Sequence, residues 1–177
     1  MLEGSGRVAV VSGSFDPVTL GHMDILERGL AIFDHMIVAV LDNPRKTPLF
    51  TVAERIALLQ AQTANINVTV ESFSGLLAEF AKLKGANYIL RGVRTETDCG
   101  YEISMAQINK MLNIDLETVI LVAKPQYALV SSSIIREIVQ YAGENFDDTV
   151  LDKMVHPTVK KMLIDKILKK GLEDSRT

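Results

Sequence analysis

The chain has 177 residues, 47% hydrophobic and 23% charged, with 19 Lys and Arg against 22 Asp and Glu. That length suffices for one domain with its own core, and the apolar content excludes a disordered chain. A single cysteine excludes a disulfide scaffold, the dispersed His22, His35 and His156 argue against a His-only metal site, and a net charge of −3 argues against a broad nucleic-acid-binding surface.

Strands and helices alternate along the chain. Arg7–Ser12 reads as a buried strand, and the apolar spacing within His22–Phe33 predicts a helix. Met36–Leu41 is a second strand. Thr51 and Glu54 form a capping box that opens a helix to about Gln62. Asn67–Glu71 is a weaker strand. Ser74–Lys84 is a helix that Gly85 stops. Tyr88–Leu90 is a short strand, Thr97–Leu112 a helix and Glu117–Ala123 a fifth strand. Ser131–Tyr141 is helical, and Phe146–Met154 and Thr158–Lys169 form a last helical pair divided at Pro157. Short, nearly continuous Val/Ile/Leu strands between helices indicate a parallel sheet covered on both faces. With no repeat or linker, residues 1–177 read as one α/β domain, with 1–6 flexible and 144–177 a C-terminal helical segment. The apolar runs are far shorter than the ~20 residues of a membrane helix and the N-terminus lacks an apolar signal region, so a cytoplasmic protein is expected.

Ligands of open parallel sheets bind beyond the carboxyl ends of the strands. The loops to search are therefore 12–22, 42–50, 71–75, 91–97 and 124–132. In the first, Gly13 permits close approach to backbone, Ser14 and nearby amides suit a phosphate, and His22 stands at a helix start. The plain reading of His22 is packing at that start. Lys46 in the second loop is either a solvated turn residue or an ammonium aimed at a substrate phosphate. Arg91 and Arg94 bracket Gly92 and suit phosphate oxygens; the alternative is ion pairing with Glu96, Asp98 or Glu102. Ser131, Ser132 and Ser133, followed by Arg136, read either as a helix cap or as a polyphosphate site at a helix N-terminus, with Lys124 and Tyr127 just before them. Lys46, Arg91, Arg94 and Arg136 are predicted to converge on one crevice. The Gly4-Ser5-Gly6 run precedes a strand, which is the wrong order for a dinucleotide fingerprint. Cys99 has no activating partner in sequence, and the lysines of the last helix read as a solvated face.

Taken together, Gly13-Ser-Phe-Asp-Pro-x-Thr-x-Gly-His22, Arg91-Gly-x-Arg94 and Ser131-Ser-Ser-x-x-Arg136 resemble the nucleotidyltransferase superfamily over roughly residues 7–160. The match is most similar to the bacterial phosphopantetheine adenylyltransferases. Thr19 stands where related cytidylyltransferases and nicotinamide-nucleotide adenylyltransferases usually have the first His of His-x-Gly-His. The resemblance implies a Rossmann-like, doubly wound sheet of five parallel strands with C-terminal helices. It implies adenylyl transfer from ATP to 4′-phosphopantetheine with Mg²⁺, with metal ligands unassigned, coenzyme A as a feedback ligand and a homohexamer. Such chemistry needs no protein nucleophile, because the acceptor phosphate brings its own.

The resemblance also assigns roles. His22, Lys46 and Arg91 would be catalytic, with Lys46 and Arg91 on the acceptor phosphate and Ser14 touching both substrates. Leu76, Leu77 and Asn109 would line the pantetheine arm. Phe15, Gly92, Val93, Arg94 and Glu102 would contact ATP, and Tyr127, Ala128, Leu129, Val130, Ser131, Ser132 and Ser133 would wall its adenine and phosphates. Cys99-Gly100 replaces the family's usual aromatic–acidic pair, which predicts a looser helix start near Glu102. Two alternatives stand beside this reading: an adenylyltransferase with another phosphate acceptor, and a nucleotide-binding module without turnover.

Overall fold

The computed structural model describes residues 6–42, 47–142 and 146–174, and in the last helix side chains as far as Ile167. Expectations that fall on Met1–Ser5 and on Lys46 lie outside these residues.

Five parallel strands, β1 (Val8–Gly13), β2 (His35–Leu41), β3 (Val68–Phe73), β4 (Tyr88–Val93) and β5 (Glu117–Val122), form one sheet in the order β3-β2-β1-β4-β5. The chain winds outward from β1 in both directions, so the order reverses between β1 and β4. That reversal opens a crevice at their carboxyl ends. The doubly wound sheet matches the expected fold.

Successive side chains on a strand face opposite sides, and the two cores sort accordingly. Ala9, Val11, Val38, Val40 and Leu90 face one core, shared with helices α1 (Leu20–Gly29), α2 (Val52–Thr63), α5 (Ser132–Tyr141) and α6 (Pro157–Asp174). Val10, Ile37, Ala39 and Ile89 face the other, packed on Ala78 and Ala81 of α3 (Leu77–Leu83). The remaining helix, α4 (Glu96–Leu112), is built the other way round. Its buried residues are the polar Glu102 and Asn109, while Ile103, Ile108, Met111 and Leu112 are exposed.

Several boundaries depart from expectation. Helix α3 starts at Leu77 instead of Ser74 because Gly75 has φ of +105°, outside helical space. Gly85, at φ +66°, ends it as predicted. Strand β4 runs on through Arg91, Gly92 and Val93, which pair with Ile120, Leu121 and Val122. An arginine and a glycine break the apolar pattern there, but pairing uses backbone and does not need it. The segment expected as a helix over Phe146–Met154 is a 3-10 turn over Asp148–Lys153.

Candidate active site

The crevice at the β1/β4 reversal holds a cavity of about 290 Å³. The first loop supplies one wall. Gly13 leaves room for the Phe15 ring: a Cβ there would lie 3.2 Å from it, so that ring would have to shift by a few tenths of an ångström. Phe15 itself sits in the left-handed region at φ 47°, a conformation that costs on the order of 1–3 kcal/mol for a bulky residue unless its surroundings impose it. Here its ring is buried and meets His22 edge-on, with centroids 5.0 Å apart.

His22 occupies the third position of α1. Thr19 is the N-cap, and its hydroxyl accepts the His22 backbone N–H at 3.3 Å. In return the His22 ring takes the place that Glu holds in an ordinary capping box: its Nδ1 accepts the Thr19 backbone N–H at 3.0 Å. Accepting through Nδ1 requires the neutral ring's proton to reside on Nε2. The pKa of His22 is lowered from 6.5 to about 4, first by burial, then by the positive charges of Arg94 and Arg91. Near pH 7 the ring is therefore an uncharged donor, directed by its own helix cap.

Arg91, at the end of β4, forms a fork with Glu102 of α4: Nε donates to Oε2 at 2.7 Å and Nη2 to Oε1 at 2.6 Å. Its Nη1 donates to the Ser12 carbonyl at 2.6 Å and to the Ser12 hydroxyl at 3.0 Å. Four of its five donors are thus engaged, and one N–H on Nη2 is left. Arg94 donates from both backbone N–H and Nε to Asp98, each at 3.2 Å, and from Nη1 to the Val130 carbonyl. The ion-pair alternative foreseen for these arginines therefore holds at the cavity wall itself. Glu102 is bound through both oxygens within a helix that is continuous from Glu96, so no looser start follows from Cys99-Gly100.

A further wall is the start of α5. Ser131 is its N-cap and accepts from the Ile134 N–H at 3.1 Å, so the capping reading is correct for that serine. The Ser132 hydroxyl donates to the Pro17 carbonyl at 2.8 Å and ties α5 to the first loop. The amides of Ser132 and Ser133 precede the first backbone bond within the helix, made by Ile135, and so remain as donors at its positive end.

A second cavity, of about 250 Å³, lies on the other side of Arg91. Its lining is mainly apolar and includes Leu76, Leu77, Ile89, Met105, Ile108 and the buried Asn109. Ser12, Arg91 and Glu102 line both cavities. The partition between them is therefore the hydrogen-bonded trio just described.

The structure brings Ser14, Phe15, His22, Arg91, Gly92, Arg94, Glu102, Tyr127, Val130, Ser131, Ser132 and Ser133 to the first cavity. Leu76, Leu77 and Asn109 line the second. Three expected nucleotide contacts do not line the first cavity: Val93 is buried in β4, Leu129 is 80% exposed, and Ala128 ends the short 3-10 turn before α5. Arg136 also stays out of the crevice and pairs with Asp16 at 3.5 Å. Lys124 binds the buried Asp24 carboxylate at 2.6 Å. Sequence reasoning missed Ser12, whose two oxygens hold Arg91, and only its position at a strand end could have signalled it.

A model of the cytidylyltransferase-like family matches residues 10–138. The chain is 47% identical over 164 residues to a phosphopantetheine adenylyltransferase of Caldanaerobacter subterraneus subsp. tengcongensis, covering 92% of this chain and 99% of that protein. Among solved structures it resembles the Plasmodium falciparum nicotinic acid mononucleotide adenylyltransferase complexed with APC, at TM-score 0.64 and 16% identity over 96% of this chain and 98% of that one. A lipopolysaccharide core biosynthesis protein from Thermoplasma volcanium aligns at TM-score 0.52 and 20% identity, over 67% of this chain and 98% of the other. The latter two likenesses speak to fold alone.

Proposed function

The chain belongs to the phosphopantetheine adenylyltransferase family, within the cytidylyltransferase-like proteins, and from that membership we propose how its site transfers the adenylyl group of ATP to 4′-phosphopantetheine. The observation that carries the reading is the pair of cavities sharing one wall. A polar cavity with a helix N-terminus, Arg94 and a neutral imidazole suits a triphosphate. An apolar cavity next to it suits a flexible pantetheine arm. The shared Ser12–Arg91–Glu102 wall is where the reactive ends of the two ligands meet.

In the reaction a phosphate oxygen of phosphopantetheine attacks the α-phosphorus of ATP. The new P–O bond forms as the bond to the β-phosphate oxygen breaks, giving dephospho-coenzyme A and pyrophosphate. The nucleophile is already an anion, so the protein positions it and stabilises charge. His22 donates through Nε2 to the phosphate oxygens on which charge develops. Arg91 offers its remaining N–H, and with Lys46 holds the acceptor phosphate. Arg94 and the amides of Ser132 and Ser133 hold the leaving phosphates. Leu76, Leu77 and Asn109 line the arm.

Mg²⁺ would neutralise phosphate charge during transfer. Asp98 and Glu102, the carboxylates at the first cavity, are taken by Arg94 and Arg91. Among the described residues no cluster of His, Cys, Asp or Glu offers a metal site. The donor set therefore fits an ion held by the nucleotide's own phosphates, and no protein ligand is assigned.

Coenzyme A carries both an adenine nucleotide and a pantetheine arm, and is the expected feedback ligand across both cavities. The outward apolar face of α4 supports assembly into a homohexamer, which sedimentation would measure. Among the described residues no helix is long and apolar enough to cross a membrane, in keeping with a cytoplasmic role.

The test is pyrophosphate release by purified protein. Release that requires ATP, phosphopantetheine and Mg²⁺ together supports the reading. Turnover only with another phosphate acceptor, such as nicotinamide mononucleotide, would reassign the substrate. Nucleotide binding without turnover would mark a non-catalytic module.

A further inference from the structure

Two buried charged side chains lie behind the first cavity and line neither it nor its neighbour. Asp16 is 1% exposed and Arg55 is 3% exposed. Asp16 belongs to the first loop, four residues beyond Ser12. Its Oδ2 accepts the Leu49 N–H at 2.9 Å and its Oδ1 accepts the Phe50 N–H at 2.8 Å. Arg55 belongs to α2. Its Nη1 donates to two carbonyls from different loops, Ser14 at 2.8 Å and Leu41 at 3.2 Å.

These four bonds have a common geometry. The second ligand loop follows β2, which ends at Leu41, and its far end carries Leu49 and Phe50, whose ring is fully buried. Its departure is tied through Arg55 to Ser14. Its return is tied through Asp16 to the same first loop. Both ends of the second loop are thus hung on two residues of the first, Ser14 and Asp16, which are neighbours but one in sequence.

Packing alone is a poor account of these residues. Among the described residues no carboxylate pairs with Arg55, and its buried Nε has no hydrogen-bond partner. A buried guanidinium satisfied only by carbonyls is a costly way to fill space, since an apolar side chain of similar volume would avoid the desolvation. Asp16 spends both oxygens on amides of one distant segment, with only a long 3.5 Å contact to Arg136. Each makes bonds between loops.

We propose that Asp16 and Arg55 are positioning residues that fix the first loop against Leu41 at the end of β2 and against Leu49 and Phe50 before α2, so that Ser14, at the cavity wall, holds the acceptor phosphate and the nucleotide phosphate in line. The inference rests on the adenylyl-transfer reading above, in which Ser14 touches both substrates. Cavities whose first loop shifts still bind their own ligands. What they lose is the relative placement of the reacting atoms, and a displacement of about 1 Å can lower turnover by about 10²-fold.

The experiment compares wild type with Asp16→Asn and Arg55→Lys. Asn keeps one acceptor of two, and Lys keeps the cation but cannot span both carbonyls. Circular dichroism and thermal melts establish folding; if one variant does not fold, the other carries the test. Calorimetry gives Kd for ATP and for phosphopantetheine separately, and pyrophosphate release gives kcat. We expect kcat to fall about 10–100-fold in each variant while both single-ligand Kd values change less than about 3-fold. The double variant should be about as slow as the slower single variant, because either change already loosens the first loop. A kcat within about 3-fold of wild type in a folded variant overturns the proposal, as does a loss of affinity that matches the loss of turnover. Wild type inactive with both substrates would instead overturn the functional reading, and the inference with it.

Discussion

His22 offers a test that joins fold to chemistry. Its Nδ1 accepts from Thr19, so the ring proton resides on Nε2, and its pKa is lowered to about 4, by burial before Arg94 and Arg91. At pH 6 a histidine of ordinary pKa would be only about one-quarter neutral, whereas this ring would be about 99% neutral. Heteronuclear NMR of the free protein should show the Nε2–H tautomer and no titration of His22 above about pH 5, with a His22→Gln spectrum assigning the signal. The shift also links folding to acid. The unfolded chain binds a proton near its ordinary pKa that the folded ring refuses until about 4. Stability from this residue is therefore complete above about pH 6.5 and is lost as pH falls toward 4, by about 2–3 kcal/mol at pH 4.5. Denaturant melts at neutral and acid pH should show that loss in wild type beyond any loss in His22→Gln. In turnover, His22→Ala removes one preorganised donor and should lower kcat about 10²–10³-fold, equivalent to about 3–4 kcal/mol of transition-state stabilisation. A ring that titrates near 6.5 or carries its proton on Nδ1 would refute the reasoning, as would a His22→Ala enzyme within a few-fold of wild type.

Three substitutions probe the frame around it. Thr19→Val removes the cap to the His22 N–H but not the backbone bond to its ring, and should cost about 1 kcal/mol by denaturant melts while leaving the tautomer unchanged. Gly92→Ala places a Cβ 2.8 Å from Ile25 Cγ1; overpacking of about 1–3 kcal/mol is expected, and a neutral melt would show that α1 can yield. Gly100 lies within α4, and a methyl group at its Cα would meet nothing within 4 Å, so Gly100→Ala should stabilise by about 0.5–1 kcal/mol. A lower melting temperature would contradict this.

The sheet was legible because parallel strands are buried on both faces and read as unbroken apolar runs. The Thr51–Glu54 box and the Gly85 stop were legible because each is a local bond pattern with a fixed spacing, and both occur. The Thr19 cap was not, since a histidine at its third position replaces the expected Glu. Arg91 and Gly92 hid the end of β4, because strand pairing there depends on β5, whose partner residues stand 29 positions further along the chain. Arg136 followed its motif but turned to Asp16, 120 residues distant, and no local pattern announces such a partner. The motif order identified which strand ends carry chemistry. Which carboxylate each arginine would meet depended on how α4 lies across β4.

That crossing has an entropic consequence. A free arginine side chain carries about 2 kcal/mol of rotamer freedom, and a ligand that orders it must overcome that loss. Arg91 is already fixed by Glu102 and Ser12 before any ligand arrives, with its last N–H held at one angle. The ordering is completed when the chain folds, so an anion that reaches it gives up less in immobilising its receptor than it would at a mobile cation.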